Sequence, residues 1–254
     1  MKRYEAIEVI SAEIIKDGLV DTLFLKGSIA RNEDDDYSDV DMYAVVSSDN
    51  RDAFLSRRIN YLEKYLPLVY YSEANFVGPQ IVGVFENLLH FDLYTVDINA
   101  IPQSEPIKIL FDENDILSAY TIKPLRLSFE YMIKEIDNFS FVLLEFEAAY
   151  VRKDLVWAIH LFGLALPKIA CLVRYVYDED KSMLGLRRLN AVIPEEVNKE
   201  ILEILNMATP NNILDSMKML LSLTNRTIEV LPNEVQNGMN KKFYNLMRCK
   251  IENL

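Results

Sequence analysis

The chain carries two kinds of periodicity and changes from one to the other near residue 120. In residues 3–16, apolar side chains recur at Ala6, Ile7, Ile10, Ile14 and Ile15, the spacing of one helical face. Gly18 follows as a stop. Residues 20–26 (VDTLFLK) and 40–46 (VDMYAVV) are short strand-like runs. Residues 51–66 return to helical spacing and end at Pro67. Three more strand-like runs follow, LVYYSEANF, QIVGVFENL and HFDLYTVDI, and then a short one, IKILFD. Residues 121–175 show long helical periodicity with few Gly or Pro before Pro167. Residues 194–206 and 211–229 read as two more helices, the first opened by Pro194. A last helix begins near Asn233 and carries Phe243, Leu246 and Met247. The pattern predicts an α+β chain: a small sheet with helices over residues 1–118, then a helical bundle over residues 119–254. The junction falls in the polar stretch DENDILSAYTIKP.

Composition narrows the class. Half of the 254 residues are apolar, ample for a core, and the net charge is −12. The first 120 residues hold 10 Lys and Arg against 22 Asp and Glu, whereas the remainder hold 17 of each sign. An acidic half is the wrong sign for tracking phosphates along a strand, so no nucleic-acid partner is expected. It suits metal cations and cationic small molecules, although acidity by itself also keeps a surface solvated. No run of about 18 apolar residues is free of charge, so no membrane span is expected. The opening MKRYEAIEVISAEIIKDG lacks the apolar middle and cleavage site of a secretory signal. Cys171 and Cys249 lie far apart with no metal-type spacing and read as reduced thiols, so the expected location is cytoplasmic. With only His90 and His160, a His-rich metal site is not expected.

The informative stretch is FLKGSIARNEDDDYSDVDMYAVV, residues 24–46. Asp39 and Asp41 open an apolar strand, and residues i and i+2 of a strand share a face. Two carboxylates side by side repel unless a cation sits between them. A hard divalent cation such as Mg²⁺ satisfies them through oxygen and keeps positions for water or phosphate. Val40 and Met42 then face the core. Gly27 lets backbone approach a phosphate, and the Ser28 hydroxyl with nearby amides can grip phosphate oxygens where a helix starts, within residues 28–32. A third carboxylate, Asp92, lies inside the apolar run HFDLYTVDI, where it is costly unless paired or metal-bound; Asp97 is its rival nearer the strand end. Read separately, the acidic run is a solvated loop, Gly-Ser is a turn and Asp92 is an edge charge. Together, in this order, they describe a Mg-triphosphate site.

The segment LKGSIARNEDDDYSDVDMYAVV resembles the signature of the nucleotidyltransferase superfamily that includes DNA polymerase beta. The shared pattern is Gly-Ser, a spacer of about ten residues, Asp-apolar-Asp, and a later acidic residue, carried here by Gly27, Ser28, Asp39, Asp41 and Asp92. The GSIAR start and the YSDVD ending are similar to bacterial antibiotic nucleotidyltransferases, which adenylylate aminoglycosides or lincosamides. The resemblance implies a mixed sheet, Mg²⁺ held by Asp39, Asp41 and Asp92, ATP as donor, Arg31 at the nucleotide, and a homodimer. It also implies a helical second domain that closes over substrate with acidic and basic groups. In LLEFEAAYVRKDLVWAIHLF, Glu145, Ala149 and Arg152 fall on one helix face, so Glu145 is a candidate general base and Arg152 and Lys153 candidate phosphate ligands; read alone, these charges form surface ion pairs. Trp157 and Phe162 read as core, and His160 as a packed or surface residue. Lys26 replaces a commonly apolar residue, so the first strand ends early. Asn32 replaces a frequent Gly and tolerates left-handed geometry. The implied reaction transfers AMP from ATP to a hydroxyl of a small acceptor, an aminoglycoside or lincosamide. The alternatives are nucleotidylation of a protein or other metabolite, and non-enzymatic nucleotide binding.

Overall fold

The computed structural model describes residues 2–254, and the chain divides into two compact units, Met1–Lys123 and Pro124–Leu254. The first unit runs α1 (Lys2–Asp17), β1 (Thr22–Leu25), α2 (Gly27–Ala30), β2 (Val40–Val45), α3 (Arg51–Leu62), β3 (Leu68–Asn75), β4 (Pro79–Phe85), β5 (His90–Val96) and β6 (Lys108–Asp112). Its strands form one mixed sheet in the order β3-β4-β5-β2-β1-β6. The central pair β2 and β5 is parallel, and every other neighbouring pair is antiparallel.

Strand alternation sorts the side chains. Leu23 and Leu25 of β1, Val40 and Met42 of β2, and Phe91 and Leu93 of β5 share one buried cluster with Ala6, Ile10 and Ile14 of α1 and Phe54 and Leu62 of α3. On the other face Phe24, Tyr43, Val45 and Val96 pack against Ile101 and Leu117. There Phe24 stacks on Tyr43 at 5.2 Å and Tyr43 on Tyr94 at 4.2 Å between ring centres. Asp41 and Asp92 belong to this second face by parity with Tyr43 and Tyr94. A one-residue slip of either strand would drive its carboxylate into the helix-covered core, so hydrophobic burial fixes the register that places them.

The second unit is helical: α4 (Phe129–Val151), α5 (Leu155–Tyr177), α6 (Glu195–Asn206), α7 (Ile213–Val230), α8 (Asn233–Gly238) and α9 (Lys241–Glu252). One continuous apolar cluster, including Phe139, Phe146, Phe162, Leu172, Leu220 and Met247, holds them together. Three local features differ from the sequence pattern. Residues 121–128 are not helical, because the Leu125 carbonyl accepts from Met183 N at 2.9 Å and the Leu127 amide donates to Ser182 Oγ at 2.9 Å. The last helix is two: Asn240 caps α9 by accepting from Phe243 N at 3.1 Å, while its own amide donates to Asp137 at 2.8 Å. Those bonds compete with continuing α8. Pro167 lies inside α5 and does not end it. The lost amide bond costs roughly 3 kcal/mol, set against burial of Ala165, Leu166, Ile169 and Ala170 around it.

By length and composition α5 is long and apolar enough to cross a membrane, and most of that stretch is buried within its unit. Trp157 is not core: it is 46% exposed and stacks on His160 at 4.7 Å, whereas Phe162 is buried as expected. Both cysteines are free, Cys171 buried and Cys249 exposed.

Candidate active site

The acidic run between α2 and β2 folds into a tethered loop. Asp34 pairs with Arg3 of α1 at 2.6 Å and accepts from the Tyr4 hydroxyl at 2.9 Å. Asp35 closes a tight turn by accepting from the Tyr37 amide at 3.0 Å and from Ser38 Oγ at 3.1 Å. This loop delivers Asp39 to the mouth of β2. Asn32, at its start, adopts φ 55.

Gly27 follows β1 with φ +67, and a Cβ there would collide with Asp41 Oδ2 and stand 3.3 Å from Asp41 Cγ. Only a residue without a side chain lets the turn and the Asp41 carboxylate share that space. The Lys26 amide donates to the Asp41 carbonyl at 3.0 Å, which locks the turn to β2. The Ser28 hydroxyl is buried with no hydrogen-bond partner. An unsatisfied buried hydroxyl costs about 1–3 kcal/mol, so a structure that keeps one invites an acceptor to meet it.

Asp92 of β5 is the register partner of Asp41 across the parallel pair. Neighbouring strands lie about 4.8 Å apart, and both side chains emerge on the same face. Asp92 is 8% exposed. His90 sits at the same strand end. Its Nε2 lies 3.0 Å from Asp92 Oδ1 and its Nδ1 3.7 Å from Asp39 Oδ2. The hydrogen bond to Asp92 raises the imidazole pKa, with burial opposing and the charge of Asp92 and Asp39 adding to it. Tyr94 Oη is 3.5 Å from Asp92 Oδ2, and burial raises its pKa well above the ordinary tyrosine value.

Asp39, Asp41 and Asp92 therefore stand at one end of the central strands β2 and β5, beside Gly27 and Ser28. They do not close on a single point: among the described residues no group of three or more His, Cys, Asp or Glu side chains is arranged to hold a metal ion. A cation of the Mg²⁺ kind takes one or two carboxylates and completes its shell with phosphates and water. The all-oxygen donors of Asp41 and Asp92 and the orphaned Ser28 hydroxyl fit such a group.

Arg31, at the end of α2, is bonded to Glu105 and to Glu33 at 3.0 Å, not left open. Glu145, Arg152 and Lys153 belong to the second unit. Glu145 is exposed on α4, whereas Ala149 is 4% exposed. Arg152 is the C-terminal cap of α4, and Lys153 turns the chain with φ 61. Of their neighbours, Glu147 pairs with Lys250 at 3.0 Å and Asp154 caps α5 by accepting from Trp157 N at 3.2 Å.

Sequence reasoning missed two members of the site. Lys26 is 1% exposed, and burial lowers its pKa against the opposing pull of Glu105 and Asp41. Its position in the apolar run LFLKG is the same signal that drew attention to Asp92. His90 opens the run that carries Asp92, two residues ahead on the same face, and that parity was available from the sequence.

No family model matches the chain, and no curated protein matches its sequence. Among solved structures it is similar to an aminoglycoside 6-adenyltransferase from Bacillus subtilis, over 98% of this chain and 97% of that one, with 12% identity and a TM-score of 0.42. A likeness that distant carries no functional weight, so the site stands on its own geometry.

Proposed function

We propose that the chain is a Mg²⁺-dependent nucleotidyltransferase that moves a nucleoside monophosphate, AMP from ATP, onto a hydroxyl of a small acceptor, with an aminoglycoside or lincosamide antibiotic as the acceptor class. The observation that carries this reading is Asp41 packed against Gly27 with Asp92 in register beside it. The carboxylate pair and the Gly27–Ser28 turn lie at the same strand ends.

Asp41 and Asp92, with Asp39, would hold the cation, which when bound neutralises the triphosphate and the departing pyrophosphate. Ser28 Oγ donates to a phosphate oxygen. Arg31 supplies positive charge to the phosphates. The acceptor oxygen attacks the α-phosphorus, the bond from that phosphorus to the bridging oxygen breaks, and pyrophosphate leaves. The acceptor's proton passes to the Asp92 carboxylate. Orientation and charge placement supply most of the rate in such transfers. The acidic first unit favours a cationic acceptor.

The test is turnover with Mg²⁺, each of the four nucleoside triphosphates and a panel of aminoglycosides and lincosamides, read by pyrophosphate release and adduct mass. A nucleotidylated drug, lost in Asp41→Ala, is the expected result. Undiminished turnover in Asp41→Ala would refute the carboxylate assignment. Triphosphate binding without any adduct would refute the antibiotic acceptor and move the search to proteins and metabolites.

A further inference from the structure

The cations on either side of Ser28 are already engaged. Lys26 Nζ donates to the Pro102 carbonyl at 2.5 Å, lies 3.9 Å from Glu105 Oε1, and sits 5.4 Å from the centre of the Tyr43 ring. Arg31 Nη1 is bonded to the other oxygen of the same carboxylate, Glu105 Oε2. Glu105 is thus clamped between cations from positions 26 and 31. Its backbone is clamped too, because its carbonyl accepts the Tyr120 hydroxyl at 2.6 Å. A turn with two cations and a buried hydroxyl that has no partner is built to receive negative charge, and the chain has supplied a carboxylate of its own.

We infer that Glu105 sets the affinity of this site for nucleotide by acting as an internal anion, which holds Arg31 in the absence of ligand and releases it to a polyphosphate. This deepens the nucleotidyltransferase reading and rests on it. The two cations are suited to different parts of the exchange. The Arg31 side chain is 24% exposed, and its Nε keeps a second partner, Glu33, at 3.0 Å. The Lys26 side chain is 2% exposed and stays. When Arg31 leaves, Glu105 keeps Lys26 and is not stranded as an unpaired, partly buried charge, which is the costly outcome of breaking such pairs. A polyphosphate offers the guanidinium several charged oxygens in place of one carboxylate. The ligand's gain is therefore reduced by the Arg31–Glu105 contact it must break, and Glu105 is a positioning residue with no part in the chemistry.

The experiment measures dissociation constants of a fluorescent ATP analogue with Mg²⁺ for the wild type, Glu105→Gln, Arg31→Ala and the double variant. Removing the charge at 105 should tighten binding about three- to five-fold, the scale of a partly exposed ion pair. The gain should vanish when Arg31 is also absent. Unchanged or weaker binding by a folded Glu105→Gln protein would overturn the inference, and so would a gain that persists without Arg31. If Glu105→Gln does not fold, Glu105→Asp draws the carboxylate back by one methylene and should show a smaller gain of the same sign; no gain there overturns the inference equally. Wild-type binding with no tighter variant defeats this inference alone. Absence of binding in every protein defeats the nucleotide reading with it.

Discussion

Gly27→Ala separates two costs that the structure places on one residue. The first is backbone: an L side chain at φ +67 costs about 1–2 kcal/mol. The second is steric: the new Cβ meets the Asp41 carboxylate, and such overpacking costs about 1–3 kcal/mol. The sum is roughly 2–5 kcal/mol, or a fall of roughly 5–15 °C in Tm for a chain of this size. Gly18→Ala is the control, because Gly18 has φ +70 with nothing within 4 Å of the added atom; it should lose only the backbone cost. The decisive comparison is Gly27→Ala in an Asp41→Ala background. There the clashing oxygen is gone, the remaining contact is the 3.7 Å one to Cβ, and the substitution should cost no more than Gly18→Ala. The single Trp lies in the second unit, so its fluorescence is a poor probe. Calorimetry with hydrogen exchange at the β1 and β2 amides reads the first unit. If Gly27→Ala costs the same in both backgrounds, Asp41 is not packed against the turn, and the site argument falls with it.

Ser28→Ala should give effects of opposite sign: stability unchanged or raised by up to about 1 kcal/mol, since an unsatisfied buried hydroxyl is removed, and weaker binding of Mg-triphosphate by titration. Loss of stability in that variant would show that the hydroxyl has a partner in the protein. The pH dependence is set in part by Asp17, whose carboxyl is held below its ordinary value of 3.8 by the Tyr61 hydrogen bond and then by Arg57. A depressed carboxylate stabilises above the unfolded value and loses that contribution as pH falls through the folded one. Asp17→Asn should therefore be less stable than wild type at neutral pH, and the gap in denaturant midpoint should close below pH 3.8; a gap constant with pH refutes the pairing. In the second unit, Phe139 is fully buried, so Phe139→Ala should cost about 3–5 kcal/mol, measured by denaturant with Trp157 fluorescence; a loss under 1 kcal/mol would mean the site is not packed.

The sequence by itself determined the local matters. Period-two and helical spacing showed every strand of the sheet and the helical second half, though not the break between α4 and α5, because burying one face leaves a pattern in the chain. The Gly27–Ser28 turn and the carboxylates at 39, 41 and 92 were visible for a related reason: charge inside apolar runs is costly, and it stands out where the sequence retains it. Boundaries set by competing bonds were not visible. The break at Asn240 and the non-helical residues 121–128 depend on Asp137, Ser182 and Met183, whose approach no local pattern encodes. Only the tertiary structure put Asp92 beside Asp41, since β2 and β5 are separated by three elements and pair through the register that buries Met42 and Leu93. It alone set the His90 ring between Asp39 and Asp92, and brought Glu105 back across more than seventy residues to Lys26 and Arg31. Burial leaves its mark on each residue's own neighbours in the chain. A charge's partner is chosen by where the fold returns the backbone, and that depends on the whole unit.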